Sequence, residues 1–235
     1  MPVSKTDFMR GLQCEKMLWL DAHAPQYKII PPEIQAKLDA GNDFGDKAMG
    51  IFGAYVETTA YKEDGRLDFA KMLATTQECI EKKENVICEA AFTWYGNYCA
   101  ADLLKRDGEG YAIYEVKNAP TPRKEFITDL GFQRLILRKS GVFITSSFLI
   151  LPAMDNQTEG DLYENGDDKY RIVDVTKAAK VMERIAEKLI FELGKLKRKD
   201  APLPLLDVGE QCDAPYRCWY YEYCHGKQDQ TKKGE

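Results

Sequence analysis

Histidine is scarce in this chain: His23 and His225 are the only two among 235 residues. A hydrolytic triad built on a histidine base has little to draw on here. No apolar run approaches the roughly 20 residues of a membrane-spanning helix, and the first residues lack the apolar core of a secretory signal. A cytoplasmic protein with no membrane partner is the expectation. Neither a glycine-rich phosphate loop nor a dinucleotide fingerprint is present, so a doubly wound nucleotide fold is not expected. Internal repeats and low-complexity tracts are missing too. Positive charge is in slight deficit, with 33 Lys and Arg against 38 Asp and Glu and a net charge of −5. That balance argues against holding a duplex by charge alone. A nucleic-acid enzyme stays compatible with it, because a carboxylate site is partly neutralised by its metal.

The most informative stretch runs from Cys99 to Lys117. Tyr98–Leu104 and Tyr111–Val116 are rich in apolar, aromatic and β-branched residues, and Asp107-Gly108-Glu109-Gly110 between them has turn chemistry. Alternation along a strand puts Glu115 and Lys117 on one face and Val116 on the other. Asp102, on the partner strand, can bring a second carboxylate to that face. Two carboxylates and an ammonium at a sheet edge suit a divalent metal and a developing negative charge.

Around this hairpin the spacing predicts a mixed α/β chain. Ser4 caps a first helix that carries Phe8, Leu12, Met17, Leu18 and Trp19 and includes Cys14. A second helix is expected from Glu33 to about Phe52, with Asp46 as a solvated acid or a further metal ligand. A short strand over Ala54–Thr59 and a helix over Phe69–Lys82, with Leu73 and Ile80 inward, come next. Val86–Trp94 opens an antiparallel meander and contains Glu89, which can face the same site or pair with a basic neighbour. Phe126–Lys139 reads as a helix with Gln133 at the edge of its buried stripe, and Val142–Leu151 as a buried strand. Asp155–Asp168 reads as a surface loop or hairpin tip, Tyr170–Val175 as the returning strand. A long helix capped by Thr176 carries Val181, Ile185, Leu189, Ile190 and Leu193. This order predicts an α/β core with a central mixed sheet flanked by helices. The basic clusters Arg123-Lys124, Arg134/Arg138/Lys139 and Lys195–Lys199 are solvated faces or phosphate contacts.

Seven cysteines divide into two groups. Cys79, Cys88 and Cys99 sit in apolar surroundings and behave as small core residues. Cys212, Cys218 and Cys224 recur every six residues in an aromatic, turn-rich segment. Three thiolates leave a metal or cluster one ligand short, and Cys14 or His225 can complete the set. Soft thiolates select zinc or an iron–sulfur cluster. The wide gaps fit the short knuckles of structural zinc sites poorly.

Asp102…Glu115-Val116-Lys117 with Gln133 on the next helix resembles the PD-(D/E)XK nuclease superfamily, in its RecB-like branch. The segments Ser4–Leu20, Glu89–Phe92, Tyr114–Lys117 and the final Cys-x5-Cys-x5-Cys resemble an uncharacterised bacterial domain family of that branch. One N-terminal and three C-terminal cysteines are a layout similar to the CRISPR-associated RecB-like exonucleases and the AddB nuclease. The resemblance implies a restriction-endonuclease-like core with a small cysteine-clasped iron–sulfur subdomain. It also implies a 4Fe–4S cluster on Cys14, Cys212, Cys218 and Cys224. Asp102, Glu115 and the Val116 carbonyl would bind Mg2+ or Mn2+, with Asp46 and Glu89 as further candidate ligands. Lys117 would orient the attacking water, and Gln133 would position substrate or Lys117.

The resulting expectation is a nuclease domain over residues 1–200, a cysteine segment over 201–225 and a polar tail over 226–235. Its activity would be metal-dependent hydrolysis of DNA, as an exonuclease on single-stranded ends. Two alternatives share the site: a CRISPR adaptation or DNA-repair subunit that acts only with an integrase or helicase partner, and a catalytically silent nucleic-acid-binding module.

Overall fold

In a computed structural model of the protein, residues 1–153, 161–166 and 168–231 are described. The helices are α1 (Lys5–Gln13), α2 (Glu15–His23), α3 (Pro32–Ala48), α4 (Phe69–Glu81), α5 (Lys124–Lys139), α6 (Thr176–Leu196) and α7 (Tyr221–Thr231). The strands are β1 (Val56–Glu57), β2 (Val86–Trp94), β3 (Asn97–Asp107), β4 (Gly110–Val116), β5 (Ile144–Pro152), β6 (Asp161–Asn165) and β7 (Asp168–Asp174). They form one seven-stranded mixed sheet in the order β1-β2-β3-β4-β5-β7-β6. The expected α/β class with a central mixed sheet is what the chain adopts.

The chain divides into two compact units, one of Asp39–Glu187 and one of Met1–Leu38 with Lys188–Glu235. The sheet belongs to the first. Its centre is the expected meander, in which β2, β3 and β4 run antiparallel. The β3–β4 turn has positive φ at Gly108, its first central residue, as a two-residue type II′ hairpin requires. β5 lies parallel to β4, and a parallel neighbour needs a crossover, which α5 supplies. Eleven of the sixteen residues of α5, Phe126 and Thr128–Leu137, are buried. Gly131 permits the closest approach in this layer: a Cβ there would meet Met182 Cβ at 2.4 Å. The opposite side of the sheet buries Cys88, Leu103, Tyr114, Val116, Ile150 and Tyr170 together with Ala48, Met49 and Ile51.

In the second unit, Met17, Leu20, Ala24, Cys218 and Tyr220 form a small core. Ser4 caps α1 reciprocally with Asp7. Asp21 accepts from Arg10 and from the Tyr220 hydroxyl. Arg10 and Lys28 each stand 4.0 Å from the ring centre of Trp219, so this indole carries two cations on its π-system.

Several local expectations change. The first helix is two: the chain breaks at Cys14, whose backbone is extended (φ −161°, ψ 115°) between α1 and α2. The expected second helix ends in a 3-10 turn, Met49–Phe52. The buried face of α4 is Met72, Thr76 and Cys79; Leu73 packs half-buried against the same core, as expected, and Ile80 is half-buried. On α6, Val181 and Ile185 face solvent, and the buried stripe is Ala179, Glu183, Ala186, Ile190 and Leu193. Part of the segment read as a surface loop or hairpin tip pairs with β7 as strand β6 of a hairpin, while 154–160 and 167 lie outside the described residues. The polar tail begins inside α7, and 232–235 lie outside the described residues.

Candidate active site and cysteine centre

Strand register builds the candidate site. β2 and β3 pair Cys88 with Leu103 and Ala90 with Ala101, so Glu89 and Asp102 occupy facing positions between those pairs. β3 and β4 pair Leu103 with Tyr114, and one residue further along that register sets Asp102 beside Glu115. Asp102 is half-buried, and its Oδ2 accepts the Val116 N–H at 2.7 Å. Glu115 is fully buried, at 0% exposure. A carboxylate so placed is tolerable only if paired and hydrogen-bonded. Lys117 Nζ donates to Glu115 Oε1, and Gln133 Nε2 donates to Glu115 Oε2.

Asp129 completes this group and was not foreseen. It lies one turn before Gln133 on α5 and is 6% exposed. It accepts from Lys117 Nζ at 3.1 Å and from Gln133 Nε2 at 2.9 Å. Its spacing of four residues from Gln133 was the available signal, because i and i+4 share a helix face. Gln133 itself is fully buried rather than at the edge of the stripe, and among the described residues its Oε1 has no hydrogen-bond partner.

Asp46 and Glu89 are placed elsewhere in part. Both line a cleft with Glu57, Tyr61, Phe69 and Tyr98, and neither Asp102 nor Glu115 lines it. Glu89 has φ +54°, a left-handed conformation that costs a non-glycine residue about 1–3 kcal/mol. The Thr58 hydroxyl braces that kink by donating to the Glu89 carbonyl at 2.6 Å. Burial first, then the charges of Glu89, Glu57 and Asp102, pushes the neighbouring Cys88 thiol up to about 12, consistent with a core cysteine.

One of the basic clusters is occupied within the chain and a second in part. Arg134 and Arg138 pair with Glu183, and Arg138 and Lys139 with Glu187. Lys195 pairs with Glu192, and Lys197 with Asp7. Arg123 and Lys124, at the start of α5, are exposed, and the Arg123 guanidinium lies 5.6 Å from the Phe126 ring centre.

In the second unit, Cys14, Cys212, Cys218 and Cys224 line one cavity, walled by Met17, Leu20 and Tyr220. The break between α1 and α2 is what turns Cys14 into this space. His225 does not line it; its ring stacks on Tyr221 with centroids 3.7 Å apart. Tyr220 N–H donates to Cys218 Sγ at 3.4 Å. Burial pushes the Cys218 thiol up to about 11, partly offset by that N–H and reinforced by the other three cysteines. Among the described residues, no three His, Cys, Asp or Glu side chains are grouped so as to hold one ion. The donor types fit: Mg2+ commonly takes one or two carboxylates and keeps its waters, and four thiolates in an apolar cavity suit an iron–sulfur cluster or zinc.

No family model matches the chain, and no curated protein matches it. The solved structures include a similar one titled "Crystal structure of SSO0001". It is 10% identical over 81% of this chain and 76% of that one, with a TM-score of 0.38. Among the described residues, no helix is long and apolar enough to cross a membrane.

Proposed function

We propose that the protein is a metal-dependent nuclease that hydrolyses phosphodiester bonds at single-stranded DNA ends, on a RecB-like, restriction-endonuclease-type core. The observation that carries this reading is the fully buried Glu115 held between Lys117 and Gln133, with Asp102 beside it on the adjacent strand. Nothing in a purely structural salt bridge requires a second carboxylate at that position. Asp102 and Glu115 would hold Mg2+ or Mn2+, which, when bound, activates water and neutralises charge on the phosphate.

The chain's own residues do the rest. Lys117, fixed by Glu115 and Asp129, supplies a preoriented positive charge to steady the attacking water and the phosphate oxygens. Gln133 holds the Glu115 carboxylate in one orientation and keeps a spare acceptor, Oε1, within the same buried group. Asp102, tied to the Val116 amide, keeps β3 and β4 in register at the site. In the second unit, Cys14, Cys212, Cys218 and Cys224 would hold a 4Fe–4S cluster, and the Tyr220 N–H would hydrogen-bond one of its sulfur ligands.

The test is cleavage of end-labelled single-stranded DNA with Mn2+, with EDTA, and by Lys117→Ala. Metal-dependent cleavage that falls by at least about 100-fold in the variant supports the reading. Equal cleavage by both proteins overturns it.

A further inference from the structure

The cleft that takes in Asp46 and Glu89 belongs to neither the buried carboxylate group nor the cysteine cavity. It opens beside β2 and β3, with about 1080 Å³ of space counting its mouth. Its walls combine two chemistries. Tyr61, Phe69 and Tyr98 give it aromatic surface, and Tyr61 and Phe69 remain 66% and 49% exposed. Large aromatic faces left open in a concavity mark a place where another flat, apolar surface is received. Phe69 and Tyr98 meet edge to face at 4.8 Å, so each braces the other.

The charged part of the lining is of one sign, beside the hydroxyls of Thr59 and the tyrosines. Asp46, Glu57 and Glu89 are acceptors when ionised, and among the described residues that line the cleft there is no Lys or Arg. Such a cleft repels phosphate. It suits a planar ring that offers N–H donors, because carboxylates accept from exocyclic amines such as N4 of cytosine, and aromatic rings stack on any base. Glu89 joins the cleft to the candidate active site, since its strand position faces Asp102.

We infer that this cleft binds an unpaired, amino-bearing nucleobase of the DNA strand, stacked on Tyr61 or Phe69 with its amino group toward the carboxylates. This rests on the nuclease reading for the identity of the strand, and it adds a base preference that reading does not contain. Cytosine and adenine have the amino donor; thymine lacks it. A duplex buries its base faces in the stack, so the same cleft selects single strands.

The experiment is fluorescence anisotropy in EDTA, where metal-dependent cutting is suppressed, with labelled oligonucleotides of about eight residues. Oligo(dC) and oligo(dA) are expected to bind more tightly than oligo(dT). Tyr61→Ala and Phe69→Ala are each expected to weaken oligo(dC) about tenfold. Tyr61→Phe, which keeps the ring, should bind like the parent and reports that the fold is intact. Glu57→Ala should narrow the difference between oligo(dC) and oligo(dT). Equal affinity for oligo(dC) and oligo(dT), unchanged binding in both alanine variants at Tyr61 and Phe69, or binding of spermidine without either oligonucleotide overturns the inference. Base-selective binding by a protein that cuts no DNA with Mn2+ would leave the cleft standing and remove the nuclease reading. Cutting without base-selective binding would do the reverse.

Discussion

Asp129 Oδ2 lies 3.1 Å from Lys117 Nζ, while its Oδ1 accepts from Gln133 Nε2 at 2.9 Å. One buried carboxylate thus fixes both the ammonium and the amide that flank Glu115.

If Asp129 positions Lys117, removing its charge should act on the reaction more than on substrate binding. Asp129→Asn is expected to lower kcat about 10- to 100-fold with little change in KM. Asp129→Glu should recover part of the loss. A variant in which kcat is unchanged, or in which KM alone rises, would show that Asp129 is only a packing residue. Steady-state cleavage kinetics separate these results.

The four-cysteine cavity predicts a shared ligand. Anaerobically purified wild type should contain iron and absorb broadly in the visible, and Cys14→Ser should lose most of both. The Cys79→Ser variant, altered at a core cysteine outside the cavity, should keep them. Zinc in place of iron in elemental analysis would reassign the centre while keeping its four ligands.

Gly131 is a position where the backbone of α5 leaves no room for a side chain. A Cβ would meet Met182 Cβ at 2.4 Å and Glu183 N at 2.8 Å. Gly131→Ala should therefore destabilise the protein by about 1–3 kcal/mol, even though alanine is the better helix former. Urea denaturation of the variant and the parent measures the difference.

The acid limb of stability should depend on Asp7. Burial alone would raise this carboxyl. The Lys197 hydrogen bond, the Ser4 backbone N–H, the Lys197 charge and the Ser4 hydroxyl outweigh burial and hold it below its ordinary 3.8. The depressed folded value makes the stabilisation fully present above the unfolded value, and it is lost as pH falls through the folded one. Asp7→Asn should destabilise the protein at pH 7 and cost less at a pH well below the ordinary 3.8. Denaturation curves at the two pH values check it.

The sequence made the sheet legible where burial follows the backbone period. β2, β3 and β4 alternate or run apolar, and Gly108 marks the turn, so Asp102, Glu115 and Lys117 were locatable. The break at Cys14 was hidden because Phe8, Leu12, Met17 and Leu18 continue one helical pattern through it, and only the cavity behind Cys14 distinguishes the two helices. Asp129 and the depth of Gln133 were hidden for a different reason. Their burial is repaid by Glu115 on β4 and by Lys117 just past its end, 18 and 12 residues away, whereas the local i,i+4 spacing shows only that the two share a helix face. Val181 and Ile185 misled because an apolar residue on a long helix need not face inward. Strand β6, on the sheet edge, carries Leu162 and Tyr163 side by side between polar residues and so lacks the period-two alternation of a strand.

Glu115→Gln provides the most direct measurement, because it keeps the size of the side chain and removes the charge. Its Mn2+-dependent cleavage of end-labelled single-stranded DNA should fall by at least about 100-fold, with the circular dichroism spectrum and the visible absorbance of the cysteine centre unchanged. Cleavage at the wild-type rate by a folded Glu115→Gln protein would contradict a metal-dependent active site at Glu115.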